Sequence, residues 1–342
     1  MNNAKLQFYS DFTGFGLNFE ILKILPFRAV EIKRYHKNCF LIKGLNQVAL
    51  LWVHQGREES LTDQIDIINH CQKNGFAGFL EFILLKDGSL YGKIDDRSYF
   101  YLTELPELQK FYYHNILHLK SAVKLIAEFQ DAASNWIMPT YLQRLKEKLN
   151  LLGKMNEMTA YLDAFRMLAM HRVNPTRFDK IFLEKLPLIE ESAATAVGLT
   201  AESKYHELLA ESRINGIIIN DWSRSNLGVG PQHKIRLLHL NNFCCELPII
   251  DLAVLLLKSG RSNGWSMQWF ESLCEEYQRN IPVSQVEFAI IKAYLTFPWN
   301  LYRLANRYYL NRVEWPLYYF IEKLERLIKD EENRIKLIKQ LS

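Results

Sequence analysis

From residue 29 to 102, short runs in which apolar and polar residues alternate with period two are separated by turn residues, the pattern of an antiparallel sheet. The spacing predicts strands at 29–33, 39–43, 48–53, 78–85, 90–94 and 98–102. Lys86-Asp-Gly-Ser89 and Asp95-Asp96 supply hairpin breaks, because Asp and Gly tolerate the positive φ of tight turns. One helix interrupts the sheet. Ser60-Leu-Thr-Asp63 has capping-box spacing, Leu61, Ile65, Ile68 and Cys71 share a face, and Asn74-Gly75 provides a left-handed stop.

After the proline-containing break Thr103-Glu-Leu-Pro-Glu107 the hydrophobic period changes to 3.6. It predicts helices at 115–133, 140–149, 156–170, 177–195, 201–212, 249–258, 266–279, 284–297, 300–311 and 316–340. One patch departs from this rule. The β-like runs Gly216-Ile-Ile-Ile-Asn220 and Lys234-Ile-Arg-Leu-Leu-His239 flank a polar loop, Asp221-Trp-Ser-Arg-Ser-Asn226, and then Gly228-Val-Gly230. A polar loop held between two apolar runs is a natural place for a site. The order predicts an α+β protein with an N-terminal extension (1–28), a small lobe of antiparallel sheet plus one helix (29–103) and a larger, mostly helical lobe (104–342).

A chain of 342 residues is longer than one hydrophobic core usually serves, which agrees with two lobes. With 49% hydrophobic and 23% charged residues it excludes wholesale disorder. The formal charge of +4 falls short of the basic footprint of a dedicated nucleic-acid binder. The longest apolar run, Leu247 to Leu257, is too short to span a bilayer and contains Asp251, so neither export nor membrane insertion is expected. Five cysteines without metal-ligand spacing read as reduced thiols and small core packing, although exposed ones would be able to cross-link an assembly. His114 and His118 stand four apart without a third ligand and are assigned to a helix surface. Gly14-Phe-Gly16 reads as an ordinary turn.

The run Ile217-Ile-Ile-Asn-Asp-Trp-Ser-Arg-Ser-Asn-Leu227, followed by Leu237-Leu-His-Leu-Asn and Pro248-Ile-Ile-Asp-Leu252, resembles the catalytic and metal-binding segments of the aminoglycoside/choline-kinase-like phosphotransferases. Ile126-Ala-Glu-Phe-Gln-Asp-Ala-Ala-Ser134 and Ala293-Tyr-Leu-Thr-Phe-Pro-Trp299 add a likeness to the CotS family of spore-coat proteins within that superfamily. The resemblance covers roughly residues 30–330 and implies a protein-kinase-like two-lobe fold, with a catalytic-loop-like segment at 216–252. It places Asp221 at the catalytic-base position and Asn226 at a metal-ligand position, with Ile219 and Asn220 in place of the preceding His and Gly. The phosphate-binding lysine of the third strand falls on Trp52, and the metal-binding aspartate falls on His239, with Asn241 as a weak substitute. The helix partner of that lysine has only Asp63 and Asp66 nearby, and the first hairpin, Arg34 to Cys39, lacks phosphate-cradling glycines. Asp251 is read as a structural brace of the loop.

A tryptophan cannot place a cation between phosphates, and a neutral imidazole is a poor ligand for Mg²⁺. These departures predict a spore-coat protein with a degraded kinase-like site, a pseudokinase that acts by binding other spore-coat proteins. It would be made in the mother-cell cytoplasm and deposited on the coat, with no cofactor, no nucleic acid and no membrane. The alternative is an ATP- and Mg²⁺-dependent phosphotransferase for a small hydroxyl or amine substrate, with Asp221 as base and Asn226 as metal ligand. Trp299, Tyr302, Tyr308, Tyr309, Trp315, Tyr318 and Tyr319 are either ordinary core or, where exposed, candidates for partner docking.

Overall fold

The period-two runs become strands whose alternate residues enter two different cores. They are β1 (Glu31–His36), β2 (Cys39–Lys43), β3 (Val48–Gln55), β4 (Phe82–Ile83), β5 (Tyr91–Asp95) and β6 (Ser98–Glu104). The order is β1-β2-β3-β6, all antiparallel, with β4 and β5 both on the far side of β6. In this register Leu51 stands opposite Phe40 and Leu102, and Trp52 stands opposite Cys39 and Tyr101. Phe40, Ile42, Ala49, Leu51, Phe100 and Leu102 form one face; Cys39, Leu50, Trp52, Tyr99 and Tyr101 form the other. The secondary structure and packing of this computed structural model are described for residues 3–137, 139, 150–211, 216–240, 243–311 and 314–341. The helix expected at 140–149 and residue Asn241 lie outside them.

Each face has its own cover. The second face packs on Leu61 and Ile65 of α3 (Glu58–Lys73). The first is covered by two helices, α1 (Asn3–Gly14) and α2 (Glu20–Ile24), through Phe8, Phe12, Leu17, Ile21 and Leu25. The expected extension is therefore part of a core, and the segment 29–103 carries, as expected, one helix, α3. Gly16, at φ 74°, makes the turn after α1. The capping box expected at 60–63 does not form: α3 starts earlier, after an extended Arg57, with Glu58 and Glu59 in its first turn, where carboxylates favour the positive end of the helix dipole. Its stop is as expected, with Asn74 as C-cap and Gly75 at φ 87°. The expected strand 78–85 shrinks to β4.

Packing groups residues 1–111 with 223–241, and 112–222 with 242–342, where the sequence reading divided the chain into 29–103 and 104–342. The two β-like runs expected to flank one loop consequently belong to separate ribbons. In the first unit β7 (Gln109–Lys110), β9 (Leu227–Val229) and β10 (Ile235–Leu237) pair antiparallel in the order β10-β9-β7. In the second, β8 (Ile217–Ile218) pairs with β11 (Cys244–Cys245).

The rest of the second unit is helical: α4 (Ile116–Ala132), α5 (Leu151–Met170), α6 (Arg177–Glu202), α7 (Tyr205–Glu211), α8 (Ile249–Gly260), α9 (Met267–Gln278), α10 (Gln285–Thr296), α11 (Trp299–Tyr309) and α12 (Leu317–Gln340). Side-chain caps begin several of them. Asn115 accepts from Leu117 N–H and His118 N–H, and Thr176–Asp179 and Ser284–Glu287 form capping boxes. In α12 Arg334 is buried against Glu331 and donates to the carbonyls of Phe297 (2.9 Å) and Thr296 (3.2 Å), which ties this helix to the end of α10.

Phe12 is fully buried, so truncating it tests whether α1 belongs to the sheet's core. Phe12→Ala is expected to lower unfolding free energy by about 3–5 kcal/mol, read by urea denaturation. A change within about 0.5 kcal/mol, the range of surface substitutions, would show that α1 contributes nothing to that core.

Candidate functional site

Trp52 sits at the middle of β3 with 3% of its surface exposed, fixed by three neighbours. Its indole Nε1–H donates to Thr103 Oγ1 (3.0 Å). Its ring stacks on Tyr101 at 6.4 Å and 17° and meets the imidazole of His239 edge-on at 5.0 Å and 66°. The inward-facing polar residue of α3 is Gln64, whose Nε2–H donates to the buried Tyr101 hydroxyl (3.1 Å), while Asp66 is exposed and Asp63 half-buried. The sequence reading named those two aspartates and missed Gln64, although its four-residue spacing from Ile68 put it on the buried face. Burial pushes the Tyr101 phenol upward, so this hydroxyl stays protonated.

The segment that follows the catalytic-like loop is packed in the same unit. Asn226 is fully buried; its side-chain Oδ1 accepts from His239 N–H (2.9 Å) and its carbonyl from Leu238 N–H (3.0 Å). Leu238 in turn enters the core that contains Trp52. Asn226 and His239, 13 residues apart, are thus brought together by backbone bonding, and His239 is brought to Trp52 by ring contact. The first-hairpin turn keeps its side chains: Arg34 donates to the Lys37 carbonyl (3.1 Å) and lies over Phe15 and Phe40.

In the second unit the fully buried Asp251 of α8 gathers the start of the loop. Its Oδ2 accepts from Ile219 N–H, and its Oδ1 accepts from Asn220 N–H and the Trp222 indole N–H, all at 2.8 Å. Asn220 has φ 55°, a left-handed conformation that is unfavourable for a residue with a side chain. The Tyr113 hydroxyl donates to the Trp222 carbonyl (2.6 Å). Asp221, between these two held residues, is half-buried. Two turns beyond Asp251, Lys258 has its ammonium pushed below its ordinary value by burial, with the charge of Asp221 opposing and that of Arg303 adding to the effect. Lys258 was not singled out by sequence, although its seven-residue spacing from Asp251 puts both on one helix face.

Other polar candidates fall elsewhere. Glu246 is buried at the start of α5, where it accepts from Leu151 N–H (2.8 Å) and the Tyr205 hydroxyl (2.9 Å). His118 is buried rather than on a helix surface, its Nδ1 accepting from Tyr112 N–H (3.2 Å), and His114 lies ahead of that helix. Cys39, Cys71, Cys245 and Cys274 are buried and Cys244 is half-buried. Burial pushes the thiols of Cys71, Cys244 and Cys274 up to about 12, so cross-linking through exposed thiols has nothing exposed to start from. Among the described residues no group of three or more His, Cys, Asp and Glu side chains is placed to hold a metal ion, and no helix is long and apolar enough to cross a membrane.

Residues 28–341 match a protein family described as Spore coat putative kinase YutH. No curated protein matches the sequence. An aminoglycoside phosphotransferase from Alicyclobacillus acidocaldarius subsp. acidocaldarius DSM 446 superposes with TM-score 0.82 at 17% identity, over 95% of this chain and 95% of that one. A spectinomycin phosphotransferase in complex with ADP and spectinomycin superposes with TM-score 0.66 at 13% identity, over 94% and 97%. A microcompartment-associated aminopropanol kinase gives TM-score 0.59 at 12% identity, over 94% and 95%. The fold is that of the aminoglycoside phosphotransferases; identities this low carry the fold alone.

Burial of Asp251 raises its carboxyl from 3.8 to about 6 against the lowering effect of its three hydrogen bonds. Between those values the native state holds a proton that the unfolded chain has released. The contribution of this group to stability therefore falls as pH rises from about 4 to about 6, by up to about 3 kcal/mol, and is flat above. Asp251→Asn is expected to remove this slope, and to cost about 1–3 kcal/mol because an amide N–H replaces one acceptor. Urea denaturation across pH 4 to 7 reads both, and parallel pH profiles for the two proteins would refute the assignment.

Proposed function

The chain belongs to the family described as Spore coat putative kinase YutH, and from that premise we propose that it serves the coat as a binding protein, a kinase fold whose nucleotide site is filled by its own side chains. The observation that carries this reading is the indole of Trp52. It occupies the position that the family resemblance assigns to the phosphate lysine, bonded to Thr103 and packed against His239. Phosphoryl transfer requires a cation at the phosphates and a metal to neutralise developing charge. Trp52 supplies no charge, and its α3 counterpart Gln64 is neutral as well. His239 stands where a carboxylate would take Mg²⁺, a hard cation that prefers oxygen, and the Oδ1 of Asn226 already accepts a backbone N–H. These residues do not fit magnesium-ATP, and no cofactor is assigned.

In this reading the protein is made in the mother-cell cytoplasm, joins the coat through other spore-coat proteins, and binds neither nucleic acid nor membrane. Asp221 and Asn226 keep the spacing of a base and a metal ligand, which favours a second reading, an ATP-dependent phosphotransferase acting on a small hydroxyl or amine. One set of measurements separates the two. A ligand at roughly 100 times its dissociation constant stabilises a fold by about 2.7 kcal/mol, so magnesium-ATP is expected to leave the wild-type melting temperature unchanged. The Trp52→Lys, His239→Asp pair is expected to gain a shift if it folds. Asp221→Asn is expected to leave coat recruitment intact. A wild-type shift, with phosphoryl transfer lost in Asp221→Asn at unchanged melting temperature, would establish the enzyme instead.

A further inference from the structure

Rings and cations gather where the chain turns from α11 into α12. Trp315, in that turn, meets Tyr319 edge-on at 5.0 Å and the buried Phe320 at 5.2 Å, so its ring is anchored from below. The guanidinium of Arg307, on α11, lies 5.4 Å from its centroid. The ammonium of Lys323, two turns into α12, lies 4.7 Å from it and 5.6 Å from the ring of Tyr319. Such contacts fix a cation in place and leave its charge uncancelled.

No carboxylate among the described residues is within ion-pair distance of Arg307, Lys323 or Arg326, while Glu325 is engaged by Arg177 (2.8 Å). Glu314 and Glu322 are exposed nearby. Two of the cations act on the third: the Lys323 ammonium lies below its ordinary value, through burial first and then through Arg307 and Arg326. Beside them Tyr318 is 65% exposed, Leu317 43% and Tyr319 38%. Anchored Trp, exposed Tyr and Arg are the residue types that dominate the energetic centres of protein interfaces.

We propose that this turn is a docking surface for an acidic peptide segment of a partner protein, with carboxylates meeting Arg307, Lys323 and Arg326 and an apolar side chain lying on Leu317 and Tyr318. Complementary charge is what a self-repelling cation cluster lacks. The exposed rings call for an apolar counterpart that a bare polyanion does not have. A net charge of only +4 on the whole chain supplies no general field for nucleic acid. In the cell this surface rests on the binding-protein reading above; as a peptide site it stands alone.

The test uses the purified full chain and a short synthetic peptide of Glu interspersed with Phe, followed by fluorescence anisotropy. Saturable binding is expected, weakening with added salt and at least about tenfold weaker when Gln replaces Glu in the peptide. Arg307→Gln with Lys323→Gln is expected to lower affinity about tenfold at unchanged melting temperature, and Tyr318→Ser by a smaller factor. Equal binding of the Glu and Gln peptides, or no binding of either, would overturn the proposal. So would polyphosphate or anionic vesicles that bind as tightly and are unaffected by Tyr318→Ser. Recruitment of the wild-type chain to the coat tests the underlying reading separately, and its failure alongside intact peptide binding would overturn that reading and not the surface.

Discussion

The shape of the catalytic-like loop depends on one carboxylate taken out of water. A buried charge is tolerated only when donors replace its hydration, and Asp251 has three, two from the backbone of Ile219 and Asn220 and one from the Trp222 indole. Those bonds hold Asn220 in a left-handed conformation that a residue with a side chain adopts only under constraint. They also set the positions of the residues on either side of Asp221. A loop fastened in this way keeps its form whatever chemistry it performs. The spacing of Asp221 and Asn226 is what the enzyme reading rests on, and the residues that weigh against it lie around Trp52 and His239.

That neighbourhood is internally consistent. Where the family resemblance leads one to expect a lysine and its acidic partner, there is instead a neutral set: Trp52, Thr103, Tyr101 and Gln64, with the Trp52 indole matched to Thr103 and the Gln64 amide to Tyr101. Exchanging a buried ion pair for well-packed neutral groups is often neutral or stabilising, whereas removing one member alone leaves an uncompensated charge. Both partners are neutral here. The ring of His239 completes the packing by meeting the indole edge-on, the arrangement that aromatic quadrupoles favour.

Much of this was legible in the sequence because strand and helix periods differ and most elements are long enough to show one of them. Where reading failed, tertiary contacts decided. The helices α1 and α2 are short, and Phe8, Phe12 and Ile21 become meaningful only against the sheet face they cover. The runs at 217–218 and 235–237 were recognisable as strands, but their partners are Cys244–Cys245 and Leu227–Val229, in two different ribbons. At the site, Trp52 and His239 were found because they stand at motif positions. Gln64 and Lys258 were not: helical spacing puts Gln64 on the face of Ile68 and Lys258 on that of Asp251, but a shared face does not tell what a polar side chain on it will bond.

The family match begins at residue 28, yet the first sheet face is sealed by side chains that precede it, from Phe8 to Leu25. A shortened version of the protein cut at the family boundary would present Ile32, Phe40, Ile42, Leu51, Phe100 and Leu102 to water as one contiguous sticky area. The segment from Phe8 to Leu25 is thus part of the sheet's own core, and any trimmed form has to carry it intact.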